Sequence, residues 1–272
     1  MIDAHIHLEK GSYCFDWIWE FVRAAEAREV DEIWFLEHTH CFRECGCLYG
    51  EMSRFNAYQH DWFQRKQASA RPIEEYLRFA ERARRECFPV RLRFGLEVCY
   101  LPEHEREIAN LRQYPLDFLV GSIHFIDGWA FSHKRQPWRL DGAELERLYR
   151  RYYGLMLRLA RSGLFSGLAH PNSLQCFGAY PPGNFDREYD EIALALHENQ
   201  MYVEESSGLA VNYGDRELGI NRRMLRAMLK RGVTVLTASD AHIPRDTGCR
   251  FREMCALIEE ARSACPLSQT QD

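Results

Sequence analysis

Several features that would settle a protein's class are missing from this chain. No stretch approaches the ~18 consecutive apolar residues of a membrane helix, so no membrane association is expected. No G-x-G-x-x-G or G-x-x-x-x-G-K-[ST] element follows an apolar run, which weakens any nucleotide-binding reading. There is no basic excess: 35 Lys and Arg face 40 Asp and Glu, and a net charge of −5 argues against a surface that coats nucleic acid. The opening Met1-Ile2-Asp3-Ala4-His5 lacks the basic-then-apolar order of a signal peptide. Without such a signal, the ten cysteines read as reduced thiols of a cytoplasmic protein. No linker-like or low-complexity stretch interrupts the chain, and one domain over residues 1–272 is expected.

What the chain does have is alternation. Short apolar or β-branched runs predict strands at Ile2–His7, Glu32–Glu37, Leu92–Tyr100, Phe118–Phe125, Gly167–His170, Met201–Glu205 and Val233–Ser239. Helical periodicity fills the gaps at Phe15–Glu29, Ile73–Cys87, Glu103–Gln113, Gly142–Ser162, Phe185–Asn199, Asn221–Arg231 and Phe251–Ala264. Between the second strand and its helix lies a long insertion rich in aromatic and charged residues. Repeated βα units imply parallel strands with helices outside. Seven units fit a TIM-like α/β barrel, one unit short of eight, better than a doubly wound open sheet.

Histidines and carboxylates gather at the ends of these strands. His5 and His7 are two apart on the first, so both imidazoles can reach one cation. Glu37 and His38 end the second strand and Glu97 the third. His124 and His170 follow the fourth and fifth, and Ser239-Asp240-Ala241-His242 closes the seventh. Each alone has a bland reading as a solvated strand end or a buried ion pair. Together they would share one rim of a parallel barrel, where active sites form. Six histidines with carboxylates exceed one tetrahedral ion, and their chemistry suits Zn, Mn or Fe in a cluster of two or three divalent metals.

The motifs H-x-H, E-H, G-L-E, G-S-I-H-F, A-H-P and S-D-A-H stand here in that order. In this the chain resembles the PHP superfamily (polymerase and histidinol phosphatase), and within it the histidinol-phosphate phosphatase branch. The resemblance implies a distorted seven-stranded (β/α) barrel with a trinuclear metal site. Carried over, His5, His7, Glu97 and Asp240 hold one ion, and Glu97 bridges to a second completed by His124 and His170. His38 and His242 hold a third with a side chain from the loop after His7, for which Glu9 is the best candidate. Two departures bear on the substrate: Asn172-Ser173-Leu174-Gln175-Cys176-Phe177-Gly178 where the family commonly has a lysine before F-G, and Glu205-Ser206-Ser207-Gly208-Leu209 where it often reads N-T-A-G-L.

The chemistry so implied is hydrolysis of a small phosphorylated metabolite, histidinol phosphate first, by a hydroxide bridging two ions. Asp240 or His242 would protonate the leaving alkoxide. Arg135, Arg216 and Arg245 follow predicted strands and are candidates to clamp phosphate. Trp129, Phe131 and His133 are candidates to line the organic part of the substrate, with loop packing as the alternative. His40 reads as a supporting or exposed residue, and Cys41, Cys45 and Cys47 as free thiols before a zinc site. The rival functions are a phosphoesterase acting on another small ester or a phosphodiester, a metal-dependent amidohydrolase, and a non-catalytic metal-binding domain. The oligomeric state is left open.

Overall fold

A computed structural model of the chain describes residues 1–264. The last eight residues of the domain expected over 1–272 lie outside them. Seven parallel strands form one sheet: β1 (Ile2–Ile6), β2 (Glu32–His38), β3 (Arg91–Cys99), β4 (Phe118–Ser122), β7 (Gly167–Leu168), β8 (Tyr202–Ser206) and β9 (Val235–Ala238). A parallel bridge between Ile6 and Ala241 brings the last strand back to the first, with the His7 amide donating to the Ala241 carbonyl at 2.8 Å. Asp3 laces the same seam by accepting from the amides of Ser239 and Gly248, each at 2.8 Å. The predicted seven-unit barrel is the observed one, nearly closed.

Alternation along each strand sorts side chains between two cores. Outward residues such as Phe35, Phe94, Leu96, Val98 and Val203 pack under the helices. Inward residues Ala4, Trp34, Leu36, Phe118, Val120 and Tyr202 fill the barrel as a separate cluster. The Arg93 guanidinium caps it below, 4.6 Å from the Trp34 ring centroid. Continuing the same inward series upward gives His38 on β2, Glu97 on β3, Ser122 on β4 and Glu204 on β8. The apolar layers therefore end where the polar ones begin, at the carboxyl end of the barrel.

β1 reaches that end by an irregularity. Asp3 pairs with Ile33 but Ile6 with Phe35, so β1 carries one residue more than β2 across this step. Such a bulge re-aims side chains. Ala4 points into the barrel, yet His5 and His7 also point into its mouth, while Ile6 joins the outer core.

Helices surround the sheet: α1 (Phe15–Glu26), α3 (Ile73–Ala83), α4 (Glu105–Asn110), α5 (Gly142–Arg161), α6 (Asp186–Glu198), α8 (Arg222–Lys230) and α9 (Phe251–Ser263). Two more were not predicted: α2 (Ala57–Ser69), inside the insertion, and α7 (Gly208–Tyr213) after β8. Asn56 caps α2 by accepting from the Gln59 amide at 2.8 Å. The buried Gln59 side chain donates to the carbonyls of Met52 (2.7 Å) and Gly128 (2.8 Å) and accepts from the Ala130 amide (3.0 Å). It thereby pins the insertion onto a small hairpin, β5 (Phe125–Ile126) and β6 (Trp129–Ala130), turned by Asp127-Gly128 with positive φ at both residues. The predicted strand Phe118–Phe125 is thus two elements, and His124 is freed between them.

Candidate metal centre

Glu97 is the hub. Its Oε1 lies 2.9 Å from His124 Nε2 and 3.1 Å from His170 Nε2. Its Oε2 lies 3.1 Å from His38 Nε2, 3.3 Å from His5 Nε2 and 3.5 Å from His7 Nε2. Asp240 Oδ1 stands 3.3 Å from His7 Nε2, and His242 Nδ1 is held at 3.0 Å by the Asp240 carbonyl. Residues spread over more than two hundred positions therefore meet at one mouth. Two of them, His170 (φ 24°) and Asp240 (φ 53°), adopt left-handed backbone despite carrying side chains. Strain of this kind is kept where the surroundings fix a side chain for a purpose.

Supporting contacts set the ring orientations. His5 Nδ1 faces both oxygens of Glu204 at 2.9 Å, and His170 Nδ1 meets Ser173 Oγ at 2.6 Å. Each contact turns the Nε2 of its ring toward the centre, the arrangement seen behind metal-binding imidazoles. Glu204 was missed in the sequence, although a glutamate inside a buried strand was signal enough. Glu204→Gln is expected to weaken divalent-ion affinity about 10–100-fold, with little loss of fold, as read by competition with a fluorescent chelator.

Burial works to raise the Glu97 carboxyl, but the His38 charge and hydrogen bonds from His124, His170 and His5 hold it well below the usual range. Asp240 is likewise held low against burial, chiefly by its hydrogen bond with His7. Burial, followed by neighbouring positive charge, lowers His7 and His40, and burial lowers His124 and His242 despite nearby carboxylates. Their rings are neutral, the form that binds metal. Buried ring nitrogens of His7, His38 and His40 find no partner. So many imidazoles and carboxylates without cations would be costly to bury, and the donor set fits divalent ions.

Four donor sets are of metal-holding size among the described residues: His5, His7 and Glu97; His38, Glu97 and His124; His7, His38 and His242; and Glu9, His38 and His40. The expected grouping of Glu9 with His38 and His242 is not among them. His242 Nε2 stands 3.7 Å from Glu9 Oε1, but the compact set on Glu9 includes His40 instead. Glu37, expected at the rim, faces outward and accepts from the Leu8 amide (2.5 Å) and the Tyr13 hydroxyl (3.0 Å); burial pushes its carboxyl up to about 7.

A cavity of about 310 Å³ opens over this mouth, walled by Tyr49, Trp62, Phe125 and Tyr213. None of the three predicted arginines lines it. Arg135 is exposed, Arg216 stacks on Tyr180, and Arg245 points to solvent beside Asp246. The loops carry them past the rim rather than over it. Lys10, Lys66 and Lys134 line the cavity in their place. His133 is a wall residue as proposed, whereas Phe131 is core and packs on Tyr152, and Trp129 packs on Trp138. The Cys41–Cys47 segment supplies no metal-sized set among the described residues. Cys41 donates to Glu9 (2.9 Å), Cys45 is buried and Cys47 is exposed.

The model of the PHP domain family matches residues 3–207 of this chain. The chain belongs to the PHP domain family. A Deinococcus radiodurans protein described as a probable histidinol-phosphatase is 29% identical over 177 residues, which cover 62% of this PHP chain and 64% of that relative. The match thus spans just under two thirds of the relative's length. Among solved structures, a histidinol phosphate phosphatase from Lactococcus lactis, complexed with zinc, L-histidinol and phosphate, superposes with a TM-score of 0.64. It is 17% identical, with 96% of this chain and 93% of that one covered. A Listeria monocytogenes protein described only as a proposed histidinol phosphatase gives a TM-score of 0.67 at 16% identity, covering 93% of this chain and 99% of that one. At these identities the likeness establishes the shared PHP barrel.

In the segment of the second departure, Gly208 and Leu209 wall a small pocket with His170 and Asp240, whereas Glu205 lies off the site. Glu205 faces away from the cavity and accepts from the Ile220 amide at 2.8 Å. Burial pushes its carboxyl up to about 8. Because the unfolded chain titrates near pH 4.5, the stabilising protonated form is fully favoured below that pH and lost as pH rises through 8. Glu205→Gln, which keeps an acceptor for Ile220, should therefore raise Tm at pH 8.5 by on the order of 5 °C, and far less at pH 5, in calorimetric scans.

Proposed function

We propose that this chain is a metal-dependent phosphomonoesterase and that histidinol phosphate is its first candidate substrate. The observation that carries the reading is the convergence of His5, His7, His38, His124 and His170 on the Glu97 carboxylate at 2.9–3.5 Å. In this reading His5, His7, His38, Glu97, His124, His170, Asp240, His242 and Glu9 hold two or three divalent ions. Bound there, such ions lower the pKa of coordinated water and neutralise charge on a phosphoryl group.

The chain's own groups do the rest. Lys10, Lys66 and Lys134 bring ammonium charges to the cavity wall, where they bind phosphate oxygens as point charges. Trp62, Tyr49 and Tyr213 orient the organic part and exclude water from one side. Asp240, ionised and about one-fifth exposed at the mouth, accepts a proton from the attacking water and returns it to the leaving alkoxide. His242 stays neutral beside it, with Nδ1 fixed on the Asp240 carbonyl and Nε2 unprotonated. Nine free cysteines among the described residues support a reducing, cytoplasmic setting.

Three lysines without an arginine also favour a second reading, a phosphate ester bearing a further anionic group. Phosphate release from L-histidinol phosphate, an aryl phosphate and a sugar bisphosphate separates the two. A kcat/KM highest for histidinol phosphate supports the first reading. Turnover of the bisphosphate alone supports the second, and no turnover of any ester at full metal load contradicts both.

A further inference from the structure

Glu9 lies at the junction of two groups. Its Oε1 faces His242 across the mouth, while its Oε2 turns into a side recess. There Oε2 meets His38 Nδ1 at 3.5 Å and His40 Nε2 at 3.8 Å. Both ring nitrogens are buried and lack a hydrogen-bond partner. The Cys41 thiol donates to the same oxygen at 2.9 Å and fixes the carboxylate from behind.

The recess is made by local structure. After β2 the chain turns through a single 3-10 turn, Thr39–Cys41, which brings His40 back beside His38 with ring centroids 4.7 Å apart. Trp62 of α2 closes over the His40 ring at 5.4 Å. Two imidazoles and a carboxylate facing one point make a facial set of the kind that holds Zn, Mn or Fe with water completing the shell. The Lys66 ammonium stands 3.9 Å from Glu9 Oε2 on a stem one-third exposed, and it can swing into the cavity when a cation takes the recess.

We infer that His40 is a metal ligand and that Glu9, His38 and His40 hold the outermost ion of this centre, in a position set apart from the Glu97 cluster. The inference rests on the metal-centre reading of the proposed function. It assigns to this chain a ligand on the turn after β2, supplied by neither H-x-H nor S-D-A-H.

The test is ion stoichiometry. Wild-type protein and His40→Gln are equilibrated with Zn²⁺ by dialysis, and bound zinc per chain is measured by elemental analysis. Three ions in the wild type and two in His40→Gln are expected, or a third ion loosened on the order of 100-fold. The two retained ions and an unchanged far-ultraviolet circular dichroism spectrum show that the variant is folded. Regain of the third ion in His40→Cys, which restores a donor at this position, would add support. Equal zinc content in wild type and His40→Gln, whether two ions or three, overturns the assignment while leaving the Glu97 cluster standing. A wild type that binds no zinc overturns the metal-centre reading itself.

Discussion

Glu97→Gln is expected to lower kcat/KM for phosphate-ester hydrolysis by about 10⁴-fold, equivalent to ~5.5 kcal/mol of transition-state stabilisation. One carboxylate faces five imidazoles at 2.9–3.5 Å, and its two oxygens serve separate sets. Oε1 is turned to His124 and His170, and Oε2 to His5, His7 and His38. An amide keeps the shape but removes the charge and one acceptor, so neither set can share a cation through it. Metal content should fall together with activity. Steady-state kinetics with elemental analysis of the same sample checks both, and full activity in the variant would remove Glu97 from its place as the hub.

Gly95→Ala is expected to cost about 2–3 kcal/mol of stability and to lower Tm by roughly 5–10 °C. Gly95 sits on the inward face of β3, two residues below Glu97. A Cβ there would run into the Phe118 ring and stand 2.6 Å from the Phe118 carbonyl oxygen. The ring belongs to the barrel's inner cluster with Trp34 and Tyr202, and the carbonyl belongs to β4, which pairs with β3. Neither can move without disturbing the floor of the site. Thermal unfolding followed by circular dichroism reads the effect; an unchanged Tm would mean that the inner core is looser than its packing implies.

The barrel was legible because its strands are buried on both faces. Runs such as Ile33-Trp34-Phe35-Leu36 and Phe94-Gly95-Leu96 leave little choice of secondary structure, and helical periods separate them. The candidate ligands were legible for a related reason: a histidine or carboxylate ending an apolar strand has few apolar neighbours to explain it. His124, His170 and Asp240 were found this way, with no knowledge of which strands neighbour one another.

What escaped the sequence depended on loop geometry. The extra residue in β1 has no composition signal, yet it is what points both His5 and His7 into the mouth above Ala4. Helix α2 lacks an apolar stripe, because its docking residue is Gln59, a polar side chain satisfied by three backbone groups. The phosphate-binding charges were sought among arginines placed after strands. Whether a loop residue leans over a rim or away from it depends on the turn, and here loops bring Lys10 and Lys134 to the cavity wall while α2 brings Lys66. His40 was set aside for the same reason, since only the 3-10 turn after β2 folds it back toward Glu9.

Anomalous diffraction from crystals of the zinc-saturated protein tests the account most directly. It predicts peaks about 2.0–2.2 Å from both oxygens of Glu97 and from the Nε2 atoms of His5, His124 and His170. Saturated crystals with no anomalous peak against the Glu97 carboxylate would contradict it.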